Sequence, residues 1–296
     1  VGKINPALEP LYKVVLDNPG KYTVKELSIL SGLTQDTISG ALRRGKDRGL
    51  NLQVKAEAHG PKPTKVTKPV RREYIPPPPN TENVMVIGDL HEPFTLEGYR
   101  EFCYEQYKRY KITHVIFIGD IIDGHAWSFH EHDPDGMSAG EELHFAKEHI
   151  AQWAKAFPIA DVIWGNHDLL FMRKAFSSGL PREMIMSFQD AFGTPGWHFT
   201  ERAQYDDVQY IHGLGGTARL RCKKDLMSTV QGHMHPQAYT EWFVGQHYRI
   251  FSMQVGCGVD RHSYAMAYAK DHPKPAIGVG IILQHGQLAF NVLMKL

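Results

Sequence analysis

The sequence predicts an α/β fold, of the α+β kind in its later part, preceded by a small helical domain. Three observations carry that expectation. After a proline-rich stretch, apolar runs rich in Val and Ile alternate with helical periodicity in the order β-α-β-α-β over residues 84–163, the pattern of helices packed over a largely parallel sheet. From Asp206 onward, short apolar segments joined by Gly-containing turns read as a mostly antiparallel half. The opening of the chain shows only helical spacing. An α/β half and a β half that share one core suggest a four-layer α/β/β/α sandwich.

In chain order, apolar positions 8, 11, 14 and 15 predict a first helix over residues 6–17, stopped by Asn18-Pro19-Gly20. Thr23, with Glu26 at the capping-box position, opens a second helix over Val24 to Leu30. Ser31-Gly32 turns the chain, and Thr34 caps a third helix through Ile38, Leu42 and Arg43. This layout resembles the helix-turn-helix of winged-helix DNA-binding domains. Gln35, Asp36, Thr37, Ser39, Arg43 and Arg44 would lie on or near the recognition helix, with Asn51 to Ala56 as a wing strand. The domain is expected to span 1–58, and the Pro/Lys-rich stretch 59–80 to form an extended spacer.

Beyond the spacer, strands are expected at 84–87, 114–118 and 160–163, and helices at 96–110, 138–156, 169–176 and 182–192. Later strands are expected at 207–211, 238–244, 248–255, 278–283 and 288–293, with Gly245-Gln246 and His285-Gly286 as hairpin loops.

A chain of 296 residues with 42% hydrophobic and 22% charged content can bury a substantial core. The net charge of +1 hides an asymmetry: 14 Lys/Arg against 7 Asp/Glu over residues 1–80, and 19 against 25 over 81–296. A leader of +7 suits a polyanion such as nucleic acid. Cys103, Cys222 and Cys257 are too few and too scattered for a disulfide framework or a thiolate metal site, which suits a reducing cytoplasm. No apolar run reaches the roughly 18 residues of a membrane span, and the N-terminus lacks a signal-peptide layout, so no membrane partner is expected.

Chemistry concentrates in five short stretches that close apolar runs: Gly88-Asp89-Leu90-His91, Gly119-Asp120-Ile121-Ile122-Asp123, Trp164-Gly165-Asn166-His167-Asp168, Ile211-His212 and Gly232-His233-Met234-His235. Each acidic motif sets its carboxylate after a Gly, where the backbone can turn sharply out of a strand. Asp89 and His91, like His233 and His235, are two apart and share a face in extended chain. Carboxylates, an amide oxygen and several imidazoles make a mixed oxygen and nitrogen donor set suited to Mn²⁺, Fe²⁺ or Zn²⁺. His59, His114, His144, His149, His198, His247, His262, His272 and His285 are read as ordinary histidines.

In order, identity and interval the five motifs resemble those of the calcineurin-like metallophosphoesterase superfamily, over residues 84 to about 296. The resemblance implies two divalent cations, Mn²⁺ first and Fe²⁺ or Zn²⁺ next. Asp120 would bridge them, with Asp89, His91 and His235 on one and Asn166, His212 and His233 on the other. It further implies in-line attack on phosphorus by a metal-activated hydroxide, His167 as the acid on the leaving-group side, Asp123 orienting His167, and Asp168 bracing the turn. Protein phosphatases of this superfamily carry arginines where this chain has Gly124 and Trp164. Together with Asp168 in place of Glu, that favours a phosphodiesterase or nuclease acting on DNA or another nucleic acid. Arg43, Arg44, Arg219, Arg221, Lys223, Lys224 and His125 are the expected substrate contacts, with Trp127, His130 and His132 as further candidates at the entrance. A small-molecule phosphatase or cyclic-nucleotide phosphodiesterase is the alternative, and a DNA-binding regulator with a structural metal site is the third reading.

Overall fold

The computed structural model describes residues 6–56, 80–129, 135–263 and 274–296. It divides into two units, Val1–Ile75 and Pro76–Leu296. The expected spacer and the entrance candidates His130 and His132 fall largely or wholly outside the described residues.

In the first unit a 3-10 turn leads into α1 (Glu9–Asp17), followed by α2 (Val24–Ser31) and α3 (Gln35–Lys46). Thr23 accepts from the Glu26 N–H while the Glu26 carboxylate accepts from the Thr23 N–H at 2.7 Å, which closes the expected capping box. At the other end of α2 the left-handed Gly32 donates back to the Ser28 carbonyl at 3.0 Å. Leu11, Tyr12, Val15, Leu27, Ile38 and Leu42 form the core of this unit, with Leu52 closing it. Full burial of such side chains contributes roughly 1.5–3 kcal/mol each. Gln35, Asp36, Thr37, Ser39, Arg43 and Arg44 stay exposed on α3. The expected wing does not form as a strand. Residues 51–56 are irregular; among the described residues the backbone bonds that tie them to the turn after α1 are those from Gly20 to Gln53 and from Lys55 to Tyr22, and two such bonds do not make a ladder.

The second unit contains two sheets. One runs in the order β11 (Leu288–Leu293), β10 (Gly278–Leu283), β1 (Asn83–Ile87), β2 (His114–Phe117), β3 (Ala160–Ile163), β4 (Trp197–Thr200). The other runs β5 (Ala203–Tyr205), β6 (Val208–Ile211), β7 (Ser228–Gln231), β9 (Arg249–Gln254), β8 (Tyr239–Val244). Strand alternation separates two cores. Met85, Ile87, Val115, Phe117 and Val162 face one side, where α4 (Tyr99–Arg109) contributes Tyr99 and α5 (Ala139–Ala156) contributes Ile150 and Trp153. Val84, Val86, Ile116 and Ile163 face the other side and meet Tyr210, Val230, Phe251 and Met253 of the second sheet. Helix α8 (Ala218–Asp225) lies on that sheet, with the buried Cys222 thiol donating to the Phe251 carbonyl. The layers are therefore helix, sheet, sheet, helix.

Three expectations change. The later half is antiparallel at β5–β6, β8–β9, β10–β11 and β1–β10, but β6 pairs β7 and β7 pairs β9 in parallel, with α8 serving as the crossover between β6 and β7. The single helix expected at 182–192 breaks into a 3-10 turn (Arg182–Met184) and α7 (Phe188–Phe192), because Ser187 caps the latter afresh by accepting from the Asp190 N–H. Strands β4, β5 and β7 are additional. Helix α6 (Leu170–Ser177) follows β3 as expected. Among the described residues no helix is long and apolar enough to cross a membrane.

Candidate metal centre

Every motif sits where the strand that precedes it ends. Asp89 and His91 follow β1, Asp120 follows β2, Asn166 and His167 follow β3, His212 follows β6, and His233 and His235 follow β7. His91, Asp120 and His233 adopt positive φ angles of 53°, 49° and 69°, a backbone state that costs a non-glycine residue about 1–3 kcal/mol and concentrates at functional sites. These turns bend the donor atoms together from both sheets.

On one side, His235 Nε2 lies 3.1 Å from Asp89 Oδ2 and 3.1 Å from His91 Nε2. On the other, His212 Nε2 lies 3.1 Å from Asp120 Oδ2 and 3.0 Å from Asn166 Oδ1, with the His233 ring 5.1 Å from the His212 ring. Asp120 stands between the two groups, its Oδ2 also 3.7 Å from His91 Nε2. The structure thus brings all seven expected ligands together, with Asp89, His91 and His235 on one side, Asn166, His212 and His233 on the other, and Asp120 between them.

Hydrogen bonds to the far ring atoms determine which nitrogens face inward. His91 Nδ1–H donates to Asp123 Oδ1 at 2.7 Å, and His212 Nδ1–H to the Ile118 carbonyl at 2.9 Å. Nε2 of each ring therefore points into the centre, the orientation that metal-binding histidines require. Nε2 of His91 then opposes Nε2 of His235, while Nε2 of His212 opposes two oxygens, and lone pairs so disposed repel unless a proton or a cation lies among them. Asp89 Oδ1 is buried and has no hydrogen-bond partner among the described residues. The donor set fits two divalent cations.

Electrostatics agree. Burial, reinforced by the neighbouring His167, pushes His91 below its ordinary pKa and keeps it neutral. Burial also opposes charge on Asp120 and His212, but each offsets that for the other: Asp120 falls well below the carboxylate range and His212 rises to about 10. The proton held there stands where a cation would. Burial, with the His212 charge behind it, lowers His233.

His167 occupies a different position. Its backbone N–H donates to Asp120 Oδ1 at 2.8 Å, and its Nδ1–H donates to the backbone carbonyl of Asp123 at 2.5 Å, which leaves Nε2 as the working atom. Burial opposes protonation of His167, but Asp120 and Asp123 outweigh it and raise its pKa. The expected role of Asp123 is redistributed: its carboxylate serves His91 and stands 3.6 Å from His167 Nδ1, while its backbone oxygen orients His167. Asp168 is buried, accepting from the N–H groups of Ile121, Ile122 and Gly165 at 2.8, 3.2 and 2.9 Å, so it ties the second motif to the third. Burial and the Asp120 charge raise it to about 7.

The expected substrate contacts are less concentrated. Arg43 and Arg44 belong to the first unit. On α8, Arg219 is paired with Glu241 and Arg221 with Asp225, Lys223 lies over the Phe243 ring, and Lys224 is exposed. Much of that patch is therefore already neutralised. The N–H groups of His125 and Ala126 are held by the buried Glu142 at 2.9 and 2.8 Å. Motif reading misses Glu142 because it lies on α5, far along the chain from the loop it holds. It also misses Asp161, which accepts from His114, His198 and Tyr205 at 2.8, 3.0 and 2.7 Å.

Comparison with known proteins gives a match of residues 82–248, more than half of the chain, to the calcineurin-like phosphoesterase family. Among solved structures, vacuolar protein sorting 29 from Cryptosporidium parvum is 14% identical with a TM-score of 0.37, covering 73% of this chain and 97% of the other. YfcE, a phosphoesterase from E. coli, is 13% identical with a TM-score of 0.33, covering 72% and 100%. Among curated proteins there is no significant match. The match over residues 82–248 and the convergent donor set lead to one conclusion: the chain belongs to the calcineurin-like phosphoesterase family, whose members are metal-dependent phosphoric ester hydrolases.

Proposed function

We propose that the protein is a phosphodiesterase or nuclease acting on nucleic acid. Asp89, His91, Asp120 and His235 would hold one cation, and Asp120, Asn166, His212 and His233 the other, with Mn²⁺ the favoured metal and Fe²⁺ or Zn²⁺ compatible with the same donors. Bound there, divalent cations polarise a phosphoryl oxygen and acidify water. His167, protonated at Nε2 and oriented through Nδ1 by the Asp123 carbonyl, delivers its proton to the departing oxygen. Asp123 fixes the His91 tautomer, and Asp168 keeps the loops that carry Asp120 and His167 in register.

The observation that carries the nucleic-acid reading is the presence, on the same chain, of a small unit whose capped α3 exposes Arg43, Arg44 and Lys46. In this reading that helix-turn-helix-like unit contacts the polyanion. Support comes also from the two positions where phosphoprotein phosphatases of the superfamily place arginines. A Cβ on Gly124 would lie 2.6 Å from the Trp127 indole nitrogen, and Trp164 packs its ring against Phe188 and Phe199. Neither position presents a guanidinium to the substrate.

The test is turnover of labelled single- and double-stranded DNA and RNA by Mn²⁺-loaded protein, beside bis-p-nitrophenyl phosphate. Chelator-sensitive cleavage of a nucleic acid is expected. Hydrolysis of the small diester with no nucleic-acid turnover would instead support the small-molecule reading.

A further inference from the structure

An exposed ring stands on the loop that carries Asp123. Phe129 is 53% solvent-exposed, and two cations of α6 lie over it, Lys174 Nζ at 4.4 Å and the Arg173 guanidinium at 4.9 Å from the ring centre. Neither cation meets a carboxylate within salt-bridge distance among the described residues, in contrast to Arg219 and Arg221 on α8. Further along, Phe176 is 41% exposed with Arg182 at 5.1 Å over its ring.

This alternation of ring and cation begins at the reaction centre. The Leu170 N–H at the start of α6 donates to the His167 carbonyl at 3.0 Å, and Gly124, next to Asp123, is flanked by Trp127 and by Leu170. The loop bearing Phe129 and the helix bearing Arg173 and Lys174 therefore extend from Asp123, whose carbonyl orients His167, and from His167 itself.

An apolar face beside cations that meet no carboxylate among the described residues matches a ligand that offers both a flat π-surface and a phosphate. An unpaired nucleotide offers both. In a duplex the base faces are covered by stacking, and only the phosphates remain available. A cation–ring contact at an exposed site is weak, so Arg173 and Lys174 can turn to a phosphate when a base takes the ring.

We propose that Phe129, Arg173 and Lys174 form a subsite for an unpaired nucleotide beside the scissile phosphate, with the base stacked on Phe129 and the adjoining phosphate held by the cations, so that the enzyme acts on single-stranded segments. The assignment rests on the nucleic-acid reading above and goes further by naming the substrate's form.

The experiment compares kcat/KM of the Mn²⁺-loaded full chain on a labelled oligothymidylate, its duplex, and a strand of the same length made of abasic residues. The wild type should prefer the single thymidylate strand. Phe129→Leu should lower kcat/KM on that strand by about 5- to 150-fold, the range a lost base–aromatic stack corresponds to, and leave the abasic strand unchanged. Phe129→Trp should restore the preference, while Arg173→Ala should weaken both single strands. If the wild type cleaves these strands but prefers the duplex, or if Phe129→Leu affects the thymidylate and abasic strands equally or not at all, the subsite is overturned and the nuclease reading survives. If the wild type hydrolyses bis-p-nitrophenyl phosphate but none of the strands, both are overturned.

Discussion

A methyl group added at Gly165 would sit 2.1 Å from both the backbone nitrogen and Oδ1 of Asp120. The carboxylate placed between the two ligand groups is therefore positioned by the absence of a neighbour's side chain, and Gly165→Ala should displace it. Metal content measured after dialysis should fall sharply, and activity with it. His167 and Asp123 separate two functions that motif reading merges. His167→Ala should keep the metal and lower kcat by about 10²–10⁴-fold, the usual size of a lost general acid. Asp123→Ala leaves the His167 contact to a backbone oxygen but removes the acceptor of His91 Nδ1–H. It should weaken metal affinity by about 10- to 100-fold, read by titration with a competing chelator. The seven proposed ligands are legible in the sequence because each lies in a short motif, and the five motifs together carry the family resemblance that implies the set. The groups that hold the site in place are not, since the Ile118 carbonyl behind His212 and the Glu142 carboxylate behind the loop after Asp123 reach their partners only through tertiary packing.

At the level of elements, Asp161 on β3 links four strands through His114 on β2, His198 on β4 and Tyr205 on β5. Burial opposes its charge, but the hydrogen bonds from His114 and Tyr205 outweigh that and hold the carboxyl below its ordinary 3.8. A depressed carboxyl stabilises the fold above that ordinary value, and the contribution is lost as pH falls through the lower folded value. Asp161→Asn should therefore cost about 1–3 kcal/mol near neutrality. Urea unfolding curves of mutant and wild type should converge once the pH lies well below 3.8. Strand β5 escapes sequence reading because three residues are too few to display a period, and β4, Trp197–Thr200, because it lacks the run of Val and Ile that marks the equally short β2 and β3. The parallel pairing of β6, β7 and β9 escapes it for another reason: the turn-rich texture that suggests hairpins also accommodates a crossover as short as α8.

Across the whole molecule, the two units have separate cores, one around Leu27 and Ile38 and the others around Trp153 and Phe251. Ile38→Ala should destabilise the first unit by about 2–5 kcal/mol. It should weaken nucleic-acid binding in an anisotropy titration at low salt, while turnover of a small chromogenic diester stays unchanged. Were both properties to fall together, the division of labour would be wrong. The charge asymmetry of the sequence is the ground for proposing this division; the chemistry proposed for the second unit follows from its motifs, whereas the irregular course of residues 51–56 depends on a turn contact that no pattern signals.

The proposed ligands carry one consequence beyond catalysis. Each cation would draw donors from both sheets: Asp89 and His91 after β1 with His235 after β7 for one, and Asp120 and Asn166 after β2 and β3 with His212 and His233 after β6 and β7 for the other. Loaded, the centre would act as a pair of fasteners across one end of the sandwich. Chelation should then loosen the seam between the layers before it loosens either layer, with faster amide exchange at the ends of β1, β2, β6 and β7 than at their middles.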